Sequence, residues 1–240
     1  MKKHRLLKIA VLTVIIVVAA AGAFWVVLDR FVPKKPGGIG TGLLVGRSLG
    51  SIDVRTLPEG SSTMALEELL PDDWKKRERR IVVEKSKRIL TVYSGGKKVK
   101  SYFIALGGRP EGSKTRRDDH KTPEGEYYVC SKNSRSSYEL SLLISYPGKK
   151  DAENGLKQGN ANKLIYDKVC RAIERRSTPP QDTSLGGSIC LHGGGIGAVS
   201  RDGRKALVTD WTLGCIAMRS ADIREVFRFA RHGTTVHILP

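Results

Sequence analysis

Two residues could do covalent chemistry together. Cys215 stands in "WTLGCIAMRS", directly after a glycine, and His192 stands in "CLHGGG", at the end of an apolar run. A thiol attacks a carbonyl only as its thiolate. At a pKa of about 8.5, only a few per cent is ionised near neutral pH. A catalytic cysteine therefore needs a histidine in contact, to take its proton and later hand it on. It also needs backbone N–H groups aimed at the developing oxyanion. Gly214 lets the chain turn tightly, so the N–H groups around it and Cys215 can converge. The glycines after His192 leave room for a ligand. The bland alternative is a small buried cysteine and a structurally satisfied histidine that share one domain.

The elements that must position this pair are mostly strands. "RIVVEK", "RILTVYS" and "KVKSYFIALG" are β-branched and aromatic runs, and Gly95-Gly96 marks a hairpin turn between the last two. "TPEGEYYVC" and "YELSLLISYPG" predict two further strands, and "GSICLHGGG" predicts a strand entering a glycine turn. Asn160 to Arg176 reads as a helix, with Leu164, Ile165, Val169 and Ile173 near helical spacing. "SADIREVFRFARHG" reads as another, with Ser220 as N-cap, Asp222 in the first turn and Gly233 as the stop. "TTVHILP" predicts a closing strand. Upstream, "SSTMALEELLPDDW" predicts a short helix capped by Ser61 to Thr63 and stopped by Pro71. Lys75 to Arg88 holds eight Lys and Arg against two Glu, which reads as the solvated edge of the first hairpin.

"ICLHGGG", "DWTLGCIAMRSADI" and "HGTTVHI", in that order, resemble the active-site half of the YkuD-type L,D-transpeptidase family. "IVVEKSKRILTVYSGGKKVKSYFIALGG" is similar to the family's opening hairpins, and "KTPEGEYYV" to its Thr-Pro-x-Gly signature. "YELSLLISYPGKKDA" and "DWTLGCIAM" resemble its YafK-like branch. The resemblance runs from about Arg79 to Pro240, with a poor match between about Ala152 and Leu185. It implies a fold that is mainly β with α, Cys215 as nucleophile and His192 as general base. It further implies that the Gly193 carbonyl orients the imidazole. N–H groups at Cys215, Gly214 and Leu213 would form the oxyanion hole, with Thr212 and Arg219 on the substrate side. The implied substrate is the peptide stem of peptidoglycan, with an acyl-enzyme resolved by an amine or by water, and no cofactor or metal is called for. Two positions depart from the family pattern. Leu213 replaces a common histidine, and Ala217 replaces a common arginine whose anion contact Arg219 could supply. Of the remaining residues, Cys190 shares strand parity with His192, and its expected role is that of a small buried residue. His120 reads as a loop residue and His237 as a strand residue. Asp210 and Trp211 either frame the pocket or pack structurally.

The N-terminus sets the expected location. "MKKHRLLK" is basic and Ile9 to Leu28 carries no charge. About 20 apolar residues in a helix cross a bilayer. We expect an uncleaved membrane anchor over residues 1–30, with the catalytic domain on the extracytoplasmic, periplasmic side. Ala21-Gly22-Ala23 keeps a cleaved signal peptide open as the rival. A linker with a short helix over residues 31–78 and a catalytic domain over 79–240 would follow. The net charge of +18 favours anionic partners. No zinc-finger spacing or RNA-binding motif accompanies it, so nucleic acid is not expected. If Cys215 is a working thiol, Cys130, Cys170 and Cys190 leave at most one disulfide pair, unassigned by sequence. Hydrolysis of crosslinks or of attached protein competes with transpeptidation, and a non-catalytic wall-binding module is the alternative from another class. The oligomeric state is left open.

Overall fold

The computed structural model describes residues 54–58 and 61–240. The expected anchor lies outside them. Among the described residues no helix is long and apolar enough to cross a membrane.

The main body is an eight-stranded sheet. In chain order its strands are β2 (Arg79–Glu84), β3 (Ile89–Ser94), β4 (Lys97–Phe103), β5 (Gly125–Ser136), β6 (Glu139–Ile144), β7 (Cys190–His192), β10 (Ile216–Ala217) and β11 (Thr235–Leu239). They lie in the order β10-β7-β6-β5-β11-β2-β3-β4. The hairpin turn between β3 and β4 places Gly95 and Gly96 at φ +56° and +79°. Two successive positive φ values suit a two-residue turn, and only glycine adopts them without strain. The last strand sits in the middle. It runs parallel to β2 and antiparallel to β5, pairing Val236 with Ile81 and Ile238 with Val83. All four side chains are buried. Each such burial contributes about 1.5–3 kcal/mol, which ties the C-terminus to the start of the domain. Beyond β4, Ala105 exchanges backbone bonds with Ala217 of β10, at 2.9 and 2.8 Å. The two ends of the sheet are thereby joined, and the sheet curls around its core.

Helix α4 (Ser220–Phe229) covers β6, burying Ile223, Val226 and Phe229 against the sheet. Arg219, not Ser220, occupies its cap position, with no side-chain cap. Helix α1 (Leu66–Leu69) docks beside it. The expected Ser61–Thr63 cap is absent, because Glu225 of α4 takes the Leu66 N–H at 3.2 Å. The same carboxylate accepts from Lys100 Nζ at 2.8 Å and Tyr102 Oη at 2.7 Å.

Part of the stretch expected to be linker is therefore folded onto the body. Leu66 and Leu70 join the main core, and Trp74 stacks on Phe229 with ring centroids 5.7 Å apart. Strand β1 (Val54–Thr56) forms a small sheet with β8 (Gly197–Val199) and β9 (Lys205–Val208), in the order β1-β9-β8. The basic run is also less solvated than expected. Lys85 is buried against Glu124 at 2.7 Å, Arg79 lies over Trp74, and Arg88 pairs with Asp210 at 2.6 Å.

A helical pair occupies the stretch that matched poorly. Helix α2 (Lys149–Lys157), absent from the sequence expectation, packs on α3 (Lys163–Glu174). Ala152, Ala161, Val169 and Leu185 form its own small core. Asn162 caps α3 by accepting the Ile165 N–H. The pair is stitched to β6 where Tyr146 Oη donates to the Leu185 carbonyl at 2.8 Å.

Candidate active site

Strands β7 and β10 place the site. They run parallel with Ile216 opposite Leu191 and Ala217 opposite His192. Cys215 immediately precedes β10 and His192 ends β7, so both open into one cavity of about 700 Å³. The cavity is also lined by Tyr138, Ser188, Trp211 and Leu213.

His192 is 4% exposed, and its Nδ1 faces the Gly193 carbonyl oxygen at 2.5 Å. That contact fixes the ring and turns its other nitrogen toward the cavity. Tyr138 stacks on the imidazole with centroids 4.5 Å apart, and Trp211 stands edge-on at 5.7 Å. The indole is held in turn by its Nε1–H, which donates to the Gly195 carbonyl at 3.2 Å. Gly193 has no room for a side chain, since a Cβ there would lie 2.5 Å from the Tyr138 carbonyl oxygen.

The Cys215 sulfur meets three donors beside one acceptor, the Ser188 carbonyl at 3.5 Å. The Cys190 thiol, the His192 ring and the Cys190 backbone N–H, at 3.4 Å, all point at it. Together they hold the thiol well below its ordinary pKa, against the opposing effect of burial. Cys190 is pushed the other way, by its hydrogen bond to Cys215 and by burial.

The turn before Cys215 is tightly specified. Gly214 has φ +134°, and a Cβ there would lie 2.5 Å from the Lys121 carbonyl oxygen. Thr212 Oγ1 donates to the Cys215 carbonyl at 2.7 Å and accepts the Gly214 N–H at 3.0 Å. The Gly214 N–H is thus committed within the turn. The N–H groups of Leu213 and Cys215 have no acceptor among the described residues. The Leu213 side chain is 65% exposed at the cavity mouth.

Other expected residues fall elsewhere. Arg219 grips Asp222 through two bonds of 2.6 and 2.7 Å and lines a separate depression with Lys100 and Tyr102. Ala217 is buried in an apolar cluster with Ile89, Phe103 and Ile196. His120 is an exposed loop residue at φ +57°, and His237 lies in β11. Asp210 holds Arg88 and accepts the Leu106 N–H at 2.8 Å, a structural role next to the turn. No group of three or more His, Cys, Asp or Glu able to hold a metal occurs among the described residues.

Sequence reasoning missed Tyr138 and the wall formed by Lys114, Arg117 and Gln181. Tyr138 sits at the tip of the β5–β6 hairpin, and only the pairing of Ser141 with His192 carries it over the imidazole. The two cations are already engaged, Lys114 with Asp119 at 2.8 Å and Arg117 with Asp182. Cys190, expected to be a small buried residue, instead lies against the Cys215 sulfur, its N–H 3.4 Å away.

A depressed thiol, an oriented imidazole and two unengaged N–H groups thus open on one cavity. The chain belongs to the YkuD family, for the L,D-transpeptidase catalytic domain model matches residues 78–238. No curated protein matches it. Among solved structures it is similar to Bd1075 of Bdellovibrio bacteriovorus, at 20% identity over 71% of this chain and 51% of that one, TM-score 0.44. The helical cell shape determining protein Pgp2 of Campylobacter jejuni shows 21% identity over 72% and 53%, TM-score 0.42. Mycobacterium tuberculosis L,D-transpeptidase 1 shows 12% identity over 68% and 63%, TM-score 0.36. The chain spans about half the length of the first two.

Proposed function

We propose that the protein is a cysteine-dependent L,D-transpeptidase that acts on peptidoglycan peptide stems through an acyl-enzyme on Cys215. The observation that carries this reading is the placement of the Cys215 sulfur between the His192 ring and the Cys190 N–H, at an open cavity within a YkuD-family domain.

In the reaction so derived, the Cys215 thiolate attacks the carbonyl of the stem's diamino-acid residue. The N–H groups of Leu213 and Cys215 receive the oxyanion. His192, steadied by the Gly193 carbonyl, protonates the departing amine and then deprotonates the acceptor. An acceptor amine gives a new crosslink or a protein attachment, and water gives hydrolysis. Leu213 offers no proton or charge, so His192 is the acid–base group of both half-reactions.

We further propose that Ile9–Leu28 remains attached as a membrane anchor and keeps the domain on the outer, periplasmic face. The apolar run and its basic head support this. Intact mass of the membrane-extracted protein should include Met1 or Lys2, and a soluble form starting at Phe24 would refute it.

The test of activity is incubation of the purified chain with muropeptides, read by mass. An acyl adduct on Cys215 and a crosslinked product support transpeptidation. An adduct followed only by shortened stems assigns the chain to hydrolysis. No adduct on any stem would overturn the reading.

A further inference from the structure

Cys190 opens β7, and Cys215 immediately precedes the neighbouring strand β10. The register of β7 with β10 pairs Leu191 with Ile216, and one step back it sets Cys190 opposite Cys215. Neighbouring strands lie about 4.7–4.9 Å apart, within the span of about 4.4–6.8 Å between Cα atoms that a disulfide requires. The sulfurs also face the same way. Both reach the Ser188 carbonyl oxygen, Cys215 Sγ at 3.5 Å and Cys190 Sγ at 3.6 Å. Each is half-buried, and Cys215 opens on the cavity, whereas Cys130 and Cys170 are buried.

We propose that Cys190 and Cys215 are a reversible disulfide pair, by which a small disulfide-bearing oxidant closes the nucleophile. The Cys215 thiolate attacks one sulfur of the oxidant RSSR and expels RS⁻. Cys215 is now joined to RS through a disulfide, and Cys190 lies beside it. Cys190 releases its proton to solvent, attacks Cys215 Sγ, and expels the second RS⁻. Two cysteine sulfurs are oxidised, and one small disulfide is reduced to two thiols. The oxidised protein has no thiolate to offer a carbonyl. The low pKa of Cys215 favours it as the first to react, and the proximity of Cys190 favours it as the resolving thiol.

The proposal is tested by mass rather than by turnover, so its outcome does not depend on the peptidoglycan reading. The full chain is incubated with oxidised glutathione near neutral pH and quenched in acid. It is then denatured, alkylated with N-ethylmaleimide and digested. The expected product is a peptide pair joining Cys190 to Cys215, with Cys130 and Cys170 alkylated and the link lost on treatment with dithiothreitol. Cys190→Ser should instead stop at a glutathione adduct on Cys215. A lasting glutathione adduct on wild-type Cys215 with Cys190 alkylated would overturn the proposal. So would alkylation of both residues, or a link from Cys215 to any other cysteine.

Discussion

Cys130 and Cys215 carry the same thiol in two surroundings, one on β5 and one beside β10. Cys130 is buried, and its thiol faces the Tyr128 carbonyl oxygen at 3.9 Å, an acceptor. Burial pushes its thiol up to about 11, opposed by a hydrogen bond with Thr178. Cys215 is half-buried, yet its thiol is pulled well below the ordinary value, by the Cys190 thiol first and by His192 and the Cys190 N–H after it. Burial acts in the same direction at both sites. What separates them is how many donors face the sulfur, three beside the Ser188 carbonyl at Cys215 and Thr178 at Cys130. The depression of the Cys215 thiol comes from the three groups around it.

The largest effect expected from that contrast is at the sulfur itself. Cys215→Ala should abolish the acyl adduct and lower muropeptide turnover by about 10³-fold or more. Cys130→Ala should leave both nearly unchanged, since that thiol faces no cavity that a substrate enters. Equal losses from the two substitutions would erase the distinction.

His192→Gln comes next. It removes a donor to the sulfur and the proton carrier together, so turnover should fall on the order of 10²- to 10⁴-fold. Its sharper readout is the rate of Cys215 alkylation by iodoacetamide against pH. A depressed pKa keeps the thiolate present at lower pH, and the rate falls only as pH drops through that value. In the variant the fall should begin at higher pH, nearer the ordinary value of about 8.5. Cys130 in the folded protein should stay unreactive over the same range. An unmoved profile would assign the depression to Cys190 alone.

These expectations show how much of the site could be read before the fold. The Cys215–His192 pair and the glycine turn were legible because residue type and short spacing encode them. The hairpins of β2 to β4 were legible through apolar alternation and the Gly95-Gly96 turn. Tyr138 and the Cys190–Cys215 contact were not, because both depend on strand register, which pairs residues far apart in the chain. Helix α2 was missed since "KKDAENGLK" is polar and buries only Ala152 and Gly155. The docking of Leu66 was missed because its cap comes from Glu225, remote in sequence.

Gly214→Ala tests the turn rather than the sulfur. The new Cβ would meet the Lys121 carbonyl at 2.5 Å, at a φ of +134° that side chains avoid. The strain should cost about 1–3 kcal/mol, visible as a lower Tm. Relief of that strain must move the N–H groups of Leu213 and Cys215, so turnover should fall while iodoacetamide still reaches the sulfur. A variant with wild-type turnover would remove the turn from the oxyanion's support.

The smallest expected effect concerns the ring above His192. Tyr138 is 45% exposed, yet its face lies 4.5 Å from the imidazole. An aromatic face stabilises a cation held over it by about 0.5–1 kcal/mol at an exposed site. Positive charge develops on the imidazole when it takes a proton, so the stack should favour proton transfer from the nucleophile or the acceptor. Tyr138→Leu removes the π face while keeping an apolar side chain, and turnover should fall by a few fold. The pH profile of Cys215 alkylation should move slightly upward. Tyr138→Phe keeps the face and should restore both. If Phe and Leu behave alike, the phenol hydroxyl or mere shielding of the ring is responsible. The stack then contributes nothing to the difference between Cys215 and Cys130, which rests on the donors in contact with the sulfur.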